Sequence, residues 1–370
     1  MGRQLVVFLD GTANRFSHKP TNVIRLLRSL PANDADVLAW YDQGVGTFGL
    51  KETLFEWQKV PPRICGLAFG WGLKRNVEGA YRFIAENYQD GDRIFIFGFS
   101  RGAYAARTLA AIIHAAGLVE RYQTHLFEYA WTMLLAREDK NDSPDFKLQA
   151  RFKSTFGRRI KIHFLGLFDT VKSVGWIYDP VIIPYTANNP SVDIVRHAVS
   201  IDERRCFFRQ HLWHVASSAK TDCKEVWFAG VHSDVGGGYL PQESHLALIT
   251  FRWMLGEARQ AGLKLDVSRA KKELSVATQG EACVHDSMSS AWKIAEWMPR
   301  LVWSGQGKTR ELKIGAMPPL GSAALRSMTG EINVHDSVLK LMRDNIHYRP
   351  ANLPQQYSIV GDDVEISGLL

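Results

Sequence analysis

The sequence predicts an α/β fold, a mostly parallel sheet with helices on both faces. Three observations carry this. Short continuous apolar runs recur along the chain, among them QLVVFL, RIFIFGF, IKIHFLGLF and EVWFAGV, the pattern of strands buried on both faces. Longer stretches with apolar residues at helical spacing lie between them, the alternation of a covered parallel sheet. The composition, 46% hydrophobic and 22% charged over 370 residues, is that of a globular chain and excludes a disordered or fibrous one.

In chain order, Gln4–Leu9 reads as a buried strand ending at Asp10-Gly11-Thr12, and Thr21–Leu30 as a helix. Val37–Tyr41 is a second strand. Asn76–Tyr88 has helical spacing and is closed by Asp90-Gly91. Arg93–Phe99 is the clearest strand, and the alanine-rich Ala103–Ala116 is a helix behind it. Ile160–Phe168 and Val226–Val231 are two further strands, and Leu246–Ala261 a further helix. Residues 1–263 are therefore expected to form the core, with cap insertions at about 121–159 and 173–193. Residues 264–370 alternate less regularly and contain Pro299 and Pro318-Pro319. They are expected to form a C-terminal extension packed on the core. In such sheets the chemistry sits at the carboxyl ends of the strands.

No uninterrupted apolar stretch approaches the roughly 20 residues of a membrane-spanning helix. The apolar run at the start, Leu5–Leu9, is shorter than a signal peptide's core, and Val6 stands where a myristoylation signal has Ser or Thr. The expectation is a chain that is cytoplasmic as synthesised. The formal charge of +7 favours anionic partners only weakly, and no nucleic-acid module signature is present, so no nucleic-acid partner is expected. Cys65, Cys206, Cys223 and Cys283 lack the paired spacing of a zinc site or a disulfide framework.

The strand RIFIFGF runs into Gly98-Phe99-Ser100-Arg101-Gly102, and a slim helix containing Ala103, Ala105 and Ala106 follows. G-x-S-x-G between a strand and a helix is the nucleophile elbow of α/β-hydrolases. The turn must be so tight that the Ser100 hydroxyl stands clear of the sheet, with glycines where a β-carbon would collide with its neighbours. The helix N-terminus turns its unpaired N–H groups toward the reacting centre. The ordinary alternative is a chance match in a tight loop.

A serine hydroxyl needs a base, and the base needs a partner to fix its tautomer. In this fold the chain order is Ser, Asp or Glu, His. IKIHFLGLF ends at Asp169, and EVWFAGV ends at His232 within VHSDVGGG. Both fall at the strand edge that carries Ser100. Asp169 could instead be a helix cap, and His232 a structural histidine. His211, His214 and His335 compete as the base, and Asp234 as the acid. Asp234 is better read as ordering the glycine loop, because an acid so close in sequence to its histidine rarely reaches it. The oxyanion hole is expected from the backbone N–H of Arg101, with a second donor from Gly11 or Thr12. Asp10 and Asn14 would brace that loop.

Several motifs together resemble one family: DGTAN at Asp10–Asn14, GFSRGAYAAR at Gly98–Arg107, GLFDTV at Gly166–Val171, GVHSDVGGGY at Gly230–Tyr239 and YRPANLP at Tyr348–Pro354. In this order they resemble the α/β-hydrolase catalytic domain of type VI secretion phospholipase effectors, which also defines a large bacterial family of unknown function. The resemblance implies a Ser100–Asp169–His232 triad, esterase chemistry on phospholipid acyl chains, no metal or other cofactor, and export with an immunity or secretion partner. Such effectors also carry membrane-associating and partner-loading regions. This chain ends soon after YRPANLP, so the resemblance implies the hydrolase class more directly than lipid as substrate or export.

Two stretches are candidates for lipid contact or a lid. Met288–Met298 has apolar residues at helical spacing, with Trp292, Trp297 and Trp303 beside Lys293, Arg300, Lys308, Arg310 and Lys313, a composition suited to a membrane interface. Tyr122–Leu135 is also amphipathic and aromatic. Packing against the core is the competing reading for both. Two other functions remain open at this stage. One is a metal-dependent phosphoesterase using Asp10, Asn14, Asp169, His232 and Asp234 as ligands, and the other is a non-catalytic hydrolase-like binding protein.

Overall fold

The computed structural model describes residues 2–11, 18–44, 62–136, 144–171, 183–205, 208–214, 220–276, 282–288, 292–293, 300–303, 310–313, 325–328 and 330–362. The first part of the chain gives β1 (Gln4–Leu9), α1 (Asn22–Arg28), β2 (Val37–Asp42), α2 (Pro62–Asn87), β3 (Arg93–Phe99), α3 (Arg101–Ala116), α4 (Phe127–Leu135) and α5 (Phe146–Phe156). There follow β4 (Ile162–Phe168), β5 (Val192–Ser200), β6 (Asp222–Phe228), α6 (His232–Gly236), α7 (His245–Gln260) and α8 (Val267–Leu274). The last part holds β7 (Arg300–Trp303), β8 (Arg310–Lys313), β9 (Asn333–His335), α9 (Asp336–Asp344) and β10 (Ser358–Val360).

Eight strands form one sheet in the order β10-β9-β6-β5-β4-β3-β1-β2, and each described pairing in it is parallel. β7 and β8 form a separate antiparallel pair. This is the mostly parallel, α/β-hydrolase-like sheet the sequence predicts. The period-two rule sorts its side chains onto two faces. Leu5, Val7 and Leu9 of β1 and Ile94 and Ile96 of β3 join one buried cluster with α2, α3 and α4. Val6 and Phe8, with Phe95, Phe97 and Phe99, join the other, beneath α1 and α7. Both faces are covered, so β1 and β3 are apolar throughout after their first residue.

Three features depart from the sequence reading. β5 was not foreseen, because its sequence, VDIVRHAVS, carries charge in the middle of a central strand. Arg196 is nevertheless satisfied by Glu257 and Asp222, and His197 by Glu225, so a parallel strand tolerates both. β6 stops at Phe228, which places His232 not at a strand end but on the first turn of α6. The chain after residue 263 does more than pack on the core: β9 pairs with β6, and β10 with β9, so the sheet itself is extended. Within the first expected insertion, α4 buries Phe127, Ala130, Met133 and Leu134 against α3. Of the second, residues 172–182 lie outside the described residues.

Candidate active site

Ser100 occupies the step between β3 and α3. Its backbone has φ 60 and ψ −122, and its N–H bonds the Phe168 carbonyl at the end of β4 at 3.0 Å. The flanking glycines explain how so tight a step can form. A β-carbon on Gly98 would lie 2.6 Å from the Ala103 Cα, and one on Gly102 would lie 2.1 Å from the Leu9 carbonyl oxygen. Helix α3 thus starts in contact with the end of β1, and only glycine fits at positions 98 and 102, two residues before and after Ser100. Four non-glycine residues among those described have positive φ, and two of them are Ser100 and Asp169. Such backbone costs of order 1–3 kcal/mol per residue and persists only where the surroundings impose it.

Asp169 follows β4 directly, and its N–H bonds the Ala198 carbonyl of β5 at 2.7 Å. Its fully buried carboxylate accepts from the Ser200 N–H at 2.9 Å and lies 2.5 Å from Nδ1 of His232. Nε2 of His232 lies 2.8 Å from the Ser100 Oγ. A carboxylate only accepts, so Nδ1 carries the proton, and Nε2 presents its lone pair to the serine hydroxyl. The ring is held between Phe99, at 4.7 Å, and the edge of Phe208, at 4.9 Å. Its backbone N–H bonds Glu203 at 3.2 Å.

The electrostatics follow from burial and partners. Burial lowers the affinity of the His232 imidazole for a proton, and Asp169 opposes this without cancelling it, so the ring stays below the ordinary imidazole range. Burial pushes the Asp169 carboxyl up, but the charge of Arg326 and the hydrogen bonds from His232 and Arg326 outweigh it and hold the group well below the usual carboxylate range. Glu203 is brought down to about 2 because Arg205 hydrogen bonds and charge exceed its burial cost.

The other candidates separate clearly. His211 bonds Thr186 at 3.2 Å, His335 caps α9, and His214 is exposed, so the imidazole meeting Ser100 is that of His232. Asp234 orders its loop: it accepts from the Val231 N–H at 3.0 Å and meets Nδ1 of His285 at 2.6 Å. Asp10 accepts from the Thr21 hydroxyl at 2.6 Å and from the Tyr41 hydroxyl at 3.2 Å, a brace at the end of β1. The Gly11 N–H, expected in the oxyanion hole, donates to the Asp10 carboxylate at 2.7 Å. Arg101 opens α3 directly after Ser100. Thr12 and Asn14 lie outside the described residues.

The described ligands of the alternative phosphoesterase reading, Asp10, Asp169, His232 and Asp234, do not all converge on one point. Asp10 faces Thr21 and Tyr41, Asp234 faces His285, and Asp169 faces His232 and Arg326. Among the described residues no group of three or more such side chains could hold a metal ion. Trp292, the described member of the expected lipid-contact tryptophans with a burial assignment, is half-buried. Its ring stands edge-on to Phe208 at 5.4 Å, and the Arg205 guanidinium lies 5.2 Å from it. Trp297 lies outside the described residues, and Trp303 ends β7. No helix among the described residues is long and apolar enough to cross a membrane.

Arg326 was missed. It is 1% exposed and forks onto Asp169, and nothing in its neighbourhood, Ala-Ala-Leu-Arg-Ser-Met, marks it out. YRPANLP was the available signal for this part of the chain. Its Tyr348 hydroxyl bonds Asp202 at 2.8 Å, and its Asn352 amide bonds the Ile201 and Arg326 carbonyls at 3.1 and 3.0 Å. The motif therefore anchors the C-terminal segment beside the site.

The chain is similar to several known proteins. The chain is 34% identical over 221 residues to the uncharacterized protein YEL023C of Saccharomyces cerevisiae, which covers 56% of this chain and 32% of that protein. The chain thus spans about a third of the curated relative's length. A crystal structure of an uncharacterized protein from Pseudomonas aeruginosa aligns with a TM-score of 0.42 at 22% identity, over 75% of this chain and 49% of that one. The structure of the Tle1 effector bound to the VgrG spike of the type 6 secretion system aligns with a TM-score of 0.34 at 18% identity, over 66% and 52%. Residues 3–257 match the family described as "T6SS, Phospholipase effector Tle1-like, catalytic domain", and by that match, which takes in the Ser100 turn, Asp169 and His232, the chain belongs to the family of Tle1-like phospholipase effector catalytic domains.

Proposed function

We propose that this chain is a serine hydrolase of carboxylic esters, a phospholipase of the A type, with Ser100 as nucleophile, His232 as base and Asp169 as the group that orients His232. The observation that carries the reading is the continuous Ser100–His232–Asp169 hydrogen-bond path, 2.8 and 2.5 Å, ending on a serine at a strained strand-to-helix turn. Family membership supports lipid as the substrate class.

In this mechanism the Ser100 Oγ attacks the acyl carbonyl, and its proton passes to Nε2 of His232. The imidazolium is stabilised by the Asp169 carboxylate, which itself takes no proton. The tetrahedral oxyanion faces the start of α3, where the Arg101 N–H is the candidate donor. One such donor contributes about 2.7–4 kcal/mol of transition-state stabilisation. His232 then protonates the departing alcohol, the lysolipid. Water enters and gives a proton to His232 as its oxygen attacks the acyl carbon; the bond to the Ser100 Oγ then breaks, His232 returns the proton to that oxygen, and the fatty acid departs.

Peripheral contact with a lipid surface belongs to this reading, since the substrate resides there. Export by a type VI apparatus, with an immunity or secretion partner, is what membership of a T6SS effector family suggests.

The test is Ser100→Ala in the full chain, assayed on acyl esters and on phospholipid vesicles. Ester hydrolysis and fluorophosphonate labelling should both vanish while the melting temperature stays near that of the wild type. Retained turnover would remove Ser100 from the mechanism. Labelling without hydrolysis of any lipid in a panel would keep the serine and discard the substrate class.

A further inference from the structure

We propose that Arg326 is a positioning residue for the reaction, holding Asp169 in the one rotamer that orients His232, so that the C-terminal segment completes the active site. The inference rests on the reading of Ser100, His232 and Asp169 given above.

Nη1 of Arg326 donates to Oδ1 of Asp169 at 2.5 Å, and Nη2 to Oδ2 at 3.0 Å. This is the planar two-point grip that only a guanidinium offers a carboxylate. Together with the Ser200 N–H on Oδ1 and His232 on Oδ2, it gives each carboxylate oxygen two donors, which is all a carboxylate accepts in its plane. The carboxylate can neither turn nor take another partner.

Arg326 is itself held. Nη1 reaches the Ser200 hydroxyl at 2.7 Å, and Nη2 the Phe208 carbonyl at 2.5 Å. Its own carbonyl accepts from Asn352 at 3.0 Å. The Phe208 contact matters twice, because that residue's ring stands edge-on to His232 at 4.9 Å. One cation thus fixes the acid directly and one wall of the base through its backbone.

Without Arg326, Asp169 would be a buried carboxylate whose remaining partners are an amide and an imidazole. Leaving one partner of a buried ion pair alone is strongly unfavourable, and the carboxyl would relieve the imbalance by binding a proton as pH falls. A protonated Asp169 no longer fixes the Nδ1–H tautomer of His232. Loss of the cation also removes a repulsion against the imidazolium. Both effects raise the pH at which activity appears. The charged groups facing this pair are Glu203 and Arg205 on the His232 side and Arg326 and His197 on the Asp169 side, and among the described arginines and lysines Arg326 alone bonds the carboxylate.

The experiment uses the full chain with a water-soluble ester, p-nitrophenyl butyrate, and compares Arg326→Met and Arg326→Lys with the wild type. For Arg326→Met, kcat should fall about a hundredfold, the cost typical of a misplaced catalytic group. KM should change little, the acid limb of kcat/KM should move up, and added millimolar guanidinium should restore part of kcat. Arg326→Lys keeps the charge without the fork, so kcat should fall with the acid limb near its wild-type position. A folded Arg326→Met with wild-type kcat and an unmoved acid limb overturns the proposal. If that variant does not fold, wild-type kcat in Arg326→Lys overturns it. Failure of the Ser100 reading is distinguishable, since it appears in the wild type itself as absent fluorophosphonate labelling.

Discussion

Gly102 lies against the backbone of Leu9, so closely that a β-carbon would fall 2.1 Å from the Leu9 carbonyl oxygen and 2.4 Å from that of Asp10. The contact joins the start of α3 to the end of β1, and the turn that raises Ser100 is closed by it. Gly102→Ala must push α3 away from β1. Overpacking of this kind costs about 1–3 kcal/mol. The expected outcome is a lower melting temperature together with a slower fluorophosphonate reaction at Ser100. A variant as stable and as reactive as the wild type would show that the turn does not need this contact.

The second prediction concerns pH. In the free enzyme the rising limb of kcat/KM reports the base. Burial depresses the proton affinity of His232 more than Asp169 restores it. The limb should therefore have its midpoint below about pH 6.5, the ordinary imidazole value. Asp169→Asn removes the carboxylate that selects the Nδ1–H tautomer, and in the template triad that change costs roughly 10⁴-fold in kcat. A midpoint above neutrality, or an Asp169→Asn variant of near-normal kcat, contradicts the assigned roles.

Stability should follow the same two groups. Both have folded-state values below their unfolded ones, so the unfolded chain binds more protons as pH falls. The contribution of His232 is complete above about pH 6.5 and that of Asp169 above about pH 3.9. Each is lost as pH falls through the lower folded-state value. Acid unfolding of Asp169→Asn should consequently show a shallower pH dependence below about pH 4 than the wild type. Equal slopes by denaturant titration would mean that Asp169 is not the anchored anion described.

Trp292 supplies a prediction that separates two roles. Its ring meets Phe208, Phe208 meets His232, and the Arg205 guanidinium lies 3.6 Å from the Phe208 ring centroid. A tryptophan serving only as a lipid contact would matter on vesicles and not on a soluble ester. Trp292→Ala should instead lower kcat severalfold on p-nitrophenyl butyrate, because it removes one side of the packing behind the base. Unchanged kcat on that substrate with loss on vesicles would restore the lipid-contact role.

The sheet and the elbow were legible because their causes are local. Continuous apolar runs mark strands covered on both sides, and a glycine on either side of Ser100 marks a turn without room for β-carbons. That Asp169 and His232 lie beside Ser100 was legible from chain order and their places after strands, although His232 turns out to begin α6. Arg326 was not legible, because it reaches Asp169 across 157 positions of chain, and no periodicity encodes that distance. β5 was hidden for a related reason. Arg196 and His197 look like surface residues until Glu257, Asp222 and Glu225 are brought to them by the fold.

His285 and Asp234 form the last testable pair. Nδ1 of His285 lies 2.6 Å from the Asp234 carboxylate, and its ring stacks on Tyr239 at 3.9 Å. The hydrogen bond to Asp234 raises the imidazole's proton affinity above the ordinary value, with burial opposing. A folded-state value above the unfolded one contributes stability that is complete below about pH 6.5 and lost as pH rises through the folded value. The pair ties residues 282–288 to the loop that carries His232. The difference in melting temperature between the wild type and His285→Gln should accordingly be largest in mild acid and shrink with rising pH, and Asp234→Asn should abolish that trend. A difference that grows toward alkaline pH would mean that His285 binds Asp234 as the neutral ring, and the clamp would then be a packing contact rather than an ion pair.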